Sequence, residues 1–162
     1  MYAWHTTPGF CGTVCHTSMN KYVETYNSGN KGMLSVVHKE AGKNCLDCHN
    51  PKVTEQVSEV MAEWSGEYAM DSEGYVVMDD TQMASKEFCL KSGCHDSWDK
   101  VVQSTEGAFT DASGRVYNPH SSHQDGSITC GDCHKSHRAS TLYCAKCHVI
   151  TDMPEGWEAT SD

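Results

Sequence analysis

Five stretches of this 162-residue chain end in Cys-His, and each sets two thiols beside one imidazole. They are CGTVCH (Cys11, Cys15, His16), CLDCH (Cys45, Cys48, His49), CLKSGCH (Cys89, Cys94, His95), CGDCH (Cys130, Cys133, His134) and CAKCH (Cys144, Cys147, His148). Three of them have the C-x-x-C-H spacing that signals covalent haem attachment. In that chemistry two thiols add across the two vinyl groups of one porphyrin, and the adjacent His reaches the iron from one face. The other two motifs separate their thiols by three and four residues. A slightly longer loop still spans the ring edge, so they read as variants of the same device.

The five motifs use all ten cysteines and five of the ten histidines. The histidines left over are His5, His38, His120, His123 and His137, one for each iron. The simplest count is five c-type haems. Each is then held between a proximal His (His16, His49, His95, His134, His148) and a distal one drawn from the other five. Met19, three residues after His16, competes for the first iron, because a thioether can be an axial ligand and raises the potential; filling a gap in the core is the commoner role for Met. Disulfides suit an even number of cysteines in an exported chain, and paired CxxC motifs can bind zinc. Neither requires a His directly after the second Cys five times out of five.

Around these motifs the sequence supplies little core material. Only 38% of the residues are hydrophobic, with the ten cysteines counted among them, and Phe occurs three times. Apolar burial is the main drive to fold, so flat porphyrin faces must take the place of an oily interior. The fold expected is mainly irregular, with short α-helices and one or two small β-hairpins: a haem-cored multihaem cytochrome c. Folding then depends on attachment, as in metal-bound small domains.

In chain order, residues 1–51 form a di-haem module. His5 lies six residues before Cys11 and belongs to the same local knot. Apolar spacing from Met19 to Val37 suits a helix broken near Gly29 and Gly32, with His38 at its end. Residues 52–88 form a haem-free spacer. Within it Val53, Val57, Val60, Met61 and Trp64 recur at helical spacing, as a helix packed over a haem edge, and Tyr68 to Met78 reads as a hairpin around DSEG. Residues 89–150 form a tri-haem module with a short helix from Ser97 to Gln103 and a turn at Asp111 to Gly114. In NPHSSH and HKSH two His stand three residues apart, an offset that lets each meet a different iron. Ten residues separate His134 from Cys144, which forces two haem planes close together. Residues 151–162 are an acidic tail expected to be mobile. The whole is expected to form one compact unit.

The formal charge is −10, and haem propionates add to it. Such a surface does not suit nucleic acid or anionic lipid; it suits partners with basic docking faces. No stretch approaches 18 consecutive apolar residues, so no transmembrane segment is expected. No signal peptide is visible either. Haem is attached to such motifs outside the cytoplasmic membrane, so a precursor with an export signal is expected, and with it a periplasmic, cell-surface or extracellular protein.

Two resemblances sharpen this reading. The span NPHSSHQDGSITCGDCHKSHRASTLYCAKCHVITDMP, Asn118 to Pro154, resembles the end of the tetrahaem domain of flavocytochrome c fumarate reductases in the order and spacing of its motifs. The resemblance implies distal roles for His120, His123 and His137, and it makes a separate flavin-containing reductase subunit a natural electron acceptor. The first half, PGFCGTVCHTSM through VVHKEAGKNCLDCHNP, resembles the NapC/NirT family of quinol-oxidising cytochromes. That family places a ligating Met two residues after its first haem-binding His; here Met19 stands three after His16, and CGTVCH has an extra residue.

Three functions compete. The first is an electron carrier between a membrane quinol dehydrogenase and a terminal flavin-type reductase in anaerobic respiration. Two axial imidazoles fill each iron and leave no room for substrate, and bis-His ligation favours the lower potentials that such respiration uses. The second is a subunit of an extracellular filament of copies of itself, with one His, such as His5, donated to a neighbour's haem. The third is a reductase of nitrite, sulfite or a metal oxyanion, which needs one open iron, and no motif lacks its His.

Overall fold

The computed structural model describes residues 4, 6–50, 52–77, 85–91, 93–123 and 128–160. His5, Pro51 and Met78 lie outside the described residues, so the distal role expected of His5 and the last residue of the 68–78 hairpin do as well. The chain divides into two compact units, Met1–Asp79 and Asp80–Asp162. The boundary lies within the 52–88 stretch.

The first unit is a set of short helices: α1 (Pro8–Val14), α2 (Asn20–Tyr26), α3 (Leu34–Glu40), α4 (Cys45–Cys48) and α5 (Val53–Ser65). Pro8 opens α1 where its missing N–H costs nothing. It lies close against α2, where a Cβ at Gly12 would stand 3.4 Å from Val23, at van der Waals contact. Gly29, at φ +75°, separates α2 from α3, so the break expected near it is present. Tyr22 packs edge-on against the buried Tyr75 with ring centroids 5.3 Å apart, and its hydroxyl donates to the Val76 carbonyl. Tyr75 sits in a narrow hairpin closed by a Met70–Val76 bridge. The Asp71 side chain accepts from the Glu73 and Tyr75 N–H groups and so makes the turn.

Helix α5 ends at Gly66, which is left-handed at φ +71°. Its apolar residues Val53, Val57, Val60, Met61 and Trp64 are not covered by other side chains of the protein, Trp64 being 85% exposed. The helix is tied down by Glu63, whose carboxylate accepts from the N–H groups of Thr17 and Ser18.

The second unit holds α6 (Lys86–Cys89), α7 (Trp98–Ser104), a hairpin of β1 (Phe109–Thr110) with β2 (Val116–Tyr117), α8 (Cys130–Cys133), β3 (Thr141–Leu142), a 3-10 turn (Tyr143–Lys146) and β4 (Glu158–Ala159). The expected turn at Asp111 to Gly114 closes the hairpin: Asp111 accepts from the N–H groups of Ser113 and Arg115. The tail expected to be mobile is paired through residue 160. β4 lies parallel to β3, and the Thr160 hydroxyl donates to the Leu142 carbonyl. Trp157 meets the His134 ring edge-on at 5.3 Å.

Among the described residues the buried apolar side chains are Val36, Tyr75, Phe109 and Leu142. Short helices, two-residue strands and irregular connections match the architecture expected for a haem-cored chain. Among the described residues no helix is long and apolar enough to cross a membrane.

Candidate haem-attachment site

Each of the three regular Cys-His motifs is built on one tight turn. In CLDCH the turn is α4, in CGDCH it is α8 and in CAKCH the 3-10 turn. A single helical turn brings residues three and four apart onto one side, so the two thiols and the following His gather around one spot. The turn closes with the His N–H donating to the carbonyl of the first Cys: His49 to Cys45 at 2.8 Å, His134 to Cys130 at 2.8 Å and His148 to Cys144 at 2.9 Å.

The widest motif closes the same way. His95 N–H donates to the Cys89 carbonyl at 3.3 Å, across two more residues than in the regular motifs. Gly93, left-handed at φ +82°, lets the longer loop turn back. At CGTVCH the Cys11 carbonyl accepts from Cys15 instead, one residue earlier in the motif.

Two of these turns are fixed by a reciprocal cap. Asn44 accepts from the Leu46 N–H while Asp47 accepts from the Asn44 N–H at 2.7 Å. Asp132 likewise accepts from the Thr129 N–H at 2.6 Å and from its hydroxyl. In both motifs the residue before the second Cys is therefore the cap, a signal present in the sequence as N-C-L-D-C and T-C-G-D-C.

All ten cysteines are free thiols, so none is joined in a disulfide. Among the described residues no three His, Cys, Asp or Glu side chains gather to hold a bare metal ion. Burial pushes the thiols of Cys11, Cys15, Cys45, Cys133 and Cys144 upward. Cys130 goes the other way, to about 6, chiefly because the Cys89 thiol hydrogen-bonds to it. Motifs three and four thus touch through Cys89 and Cys130. The other thiol of motif four, Cys133, accepts from the Tyr143 N–H and feels Cys144 of motif five. In the first unit Cys11 feels Cys45 in the same way.

Four of the imidazoles, those of His16, His38, His120 and His148, have second contacts that suit haem iron. A ligating His holds Nδ1–H on an acceptor and presents Nε2 to the metal. His38, in the last turn of α3, has Nδ1 2.8 Å from the Leu34 carbonyl. His120 has Nδ1 2.8 Å from the Thr105 hydroxyl, and that hydroxyl has carbonyl acceptors on Val101 and Val102 for its own proton. His16 meets the Thr17 hydroxyl at 3.0 Å, and His148 meets the Tyr117 hydroxyl at 3.1 Å. Asp111 receives the Tyr117 hydroxyl at 2.8 Å. The Ser113 hydroxyl, then Tyr117, hold the Asp111 carboxyl well below the usual carboxylate range, and Asp111 in turn raises Tyr117. Thr105, Tyr117 and Asp111 were not singled out by the sequence as functional residues. They have ordinary side chains with no motif of their own, and only the fold brings them to the rings.

The remaining expected ligands fall at definite places. The His120 and His134 rings lie parallel within 6°, centroids 5.9 Å apart. Burial, then the neighbouring His95 and Lys86, push His120 toward its neutral form, the form that ligates. His123 is exposed and sits at φ +54°, a backbone conformation sparsely used by a residue with a Cβ. His137 is half-buried in the turn after α8, and Met19 is half-buried at the start of α2.

Residues 37–149 match the cytochrome c3 family. The chain is 38% identical to the cytochrome c-type protein Cgr1 of Eggerthella lenta, over 96% of its own length and 77% of that protein's. No solved structure matches it.

Proposed function

The chain belongs to the cytochrome c3 family, a multihaem c-type electron carrier rather than an enzyme, and we propose that it holds five covalent haems and relays electrons between redox proteins outside the cytoplasmic membrane. Cytochromes of this type are generally exported. The observation that carries the reading is the repeated turn. Four of five motifs, including the irregular CLKSGCH, close with the same His N–H to first-Cys carbonyl bond, and all ten thiols are free.

Bound haem supplies a one-electron couple; the chain's residues set where each couple sits. The Cys pairs would hold the haems covalently, and His16, His49, His95, His134 and His148 would each supply an imidazole to an iron. His5, His38, His120, His123 and His137 would supply the second imidazoles. The His120 and His134 rings lie parallel with centroids 5.9 Å apart, so we propose that these two would hold the iron of the CGDCH haem. The Cys89–Cys130 contact and the Cys133–Cys144 approach support an electron path running third, fourth, fifth haem. Cys11 beside Cys45 supports a first–second pair.

The donor proposed is a membrane quinol dehydrogenase and the acceptor a flavin-containing reductase subunit in anaerobic respiration. An acidic surface of net charge −10 docks best on basic faces. The test is intact and peptide mass spectrometry of the purified chain, followed by size-exclusion chromatography. Five haem additions, one per motif, on an 18-kDa-class monomer are expected. Fewer additions remove the five-haem reading, and polymers of the chain favour a conducting filament.

A further inference from the structure

Hairpin β1–β2 does more than close a turn. Its strand residue Tyr117 points its hydroxyl at Nδ1 of His148, 3.1 Å away, with the two rings 4.7 Å apart and tilted by 55°. The same hydroxyl reaches Asp111 Oδ2 at 2.8 Å. Asp111 is itself pinned by the Ser113 hydroxyl at 2.6 Å and by the N–H groups of Ser113 and Arg115. The chain just after His148 is sewn to the hairpin: Ala112 N–H donates to the Val149 carbonyl at 2.9 Å, and Asp111 bridges Ile150. Ring, phenol and carboxylate are therefore held as one rigid row.

The direction of the hydrogen bonds in that row follows from coordination. When Nε2 of His148 binds iron, Nδ1 must carry the proton and donate. Tyr117 then accepts with its oxygen and has to pass its own proton toward an acceptor, which is Asp111. An Nδ1–H aimed at an electron-rich oxygen raises the basicity of the ligand. A more basic axial ligand favours ferric over ferrous iron and lowers the potential. Among the described histidines, His38 and His120 have a neutral carbonyl or hydroxyl in this place, whereas His148 has a phenol backed by a carboxylate.

We infer that Tyr117, oriented by Asp111, is a positioning residue that holds the His148 imidazole and sets the haem of the CAKCH motif at a lower potential than its ligands alone would give. The inference rests on the five-haem reading above.

The test is a redox titration of the haem-loaded full chain, followed in the visible absorption bands, for wild type, Tyr117→Phe and Asp111→Asn. In Tyr117→Phe one-fifth of the absorbance change moves to higher potential and the rest stays in place, with the low-spin spectrum kept. Asp111→Asn moves the same fraction in the same direction by less, and the double variant moves it no further than Tyr117→Phe. A purely structural role would alter haem content or spin state without this selective shift. Unchanged titrations in both variants, with haem on the Cys144–Cys147 peptide, overturn the inference and leave the five-haem reading standing. A wild-type Cys144–Cys147 peptide without haem overturns both. If Tyr117→Phe fails to mature, the Asp111→Asn titration decides.

Discussion

At the scale of single residues, what distinguishes a ligand from a bystander is the company its second nitrogen keeps. His120 has a hydroxyl on Nδ1, a Trp98 edge at 5.6 Å and the parallel His134 ring at 5.9 Å. Its loss should therefore be specific. In His120→Ala one of the low-spin haems becomes five-coordinate and high-spin, and the chain gains carbon monoxide binding at about one-fifth of its haem. Electron paramagnetic resonance and a carbon monoxide difference spectrum check this, and a fully low-spin variant removes the pairing. Replacement by Met should keep the iron six-coordinate and raise its potential instead. The sequence offers His120 as a candidate, because ten Cys and ten His are countable and a resemblance implies its distal role. It does not offer Thr105, Tyr117 and Asp111. A Thr and a Tyr acquire a role only when a helix end and a hairpin carry them to a ring 15 and 31 residues away, and the Asp only through the Tyr it holds, six residues on.

At the scale of elements, helices with apolar periodicity were legible: Val53–Ser65 and Trp98–Ser104 lie where the pattern put them. The four-residue helices at the motifs were not, because apolar periodicity needs more than one turn to register. Their signal is the cap, Asn44 with Asp47 and Thr129 with Asp132. The irregular turn at CLKSGCH depends on Gly93, whose φ of +82° leaves a Cβ clear of other atoms but strained. Gly93→Ala should cost about 1–2 kcal/mol and lower the melting temperature of the loaded chain by several degrees, with the spectrum unchanged; calorimetry checks it. The Glu63 tie adds a pH dependence. The Ser18 hydroxyl first, then the Thr17 and Ser18 N–H groups and Tyr68, hold the Glu63 carboxyl below its usual range, against a desolvation that raises it. A depressed carboxyl stabilises the fold above its unfolded value, and the gain is lost as pH falls through the folded one. Glu63→Gln should therefore melt earlier than wild type near neutral pH, by a small margin because the group is exposed. The two should converge below the carboxylate range, so equal melting at neutral pH would remove the tie.

At the scale of the whole molecule, the question is what makes a chain so poor in core hold a fixed shape. A domain of about 150 residues ordinarily buries close to 70% of the surface its unfolded chain exposes. Here the buried apolar side chains among the described residues are Val36, Tyr75, Phe109 and Leu142, two in each compact unit. Fixing each backbone residue costs about 1–2 kcal/mol, and four side chains cannot offset that over either unit. A net charge of −10 adds self-repulsion to the compact state. The thiol-bearing turns are instead the fixed points: two of them are capped and four are closed by a backbone bond from the His to the first Cys. Porphyrin faces attached there would supply apolar area that the side chains lack, so attachment and folding should be one event. Made where haem is not attached, or with its ten cysteines replaced by alanine, the chain should show weak helical circular dichroism, fast amide exchange and no cooperative melt, whereas the loaded chain melts cooperatively. A sharp melt of the haem-free chain would show that its side chains alone suffice, and would leave haem as a passenger in the fold.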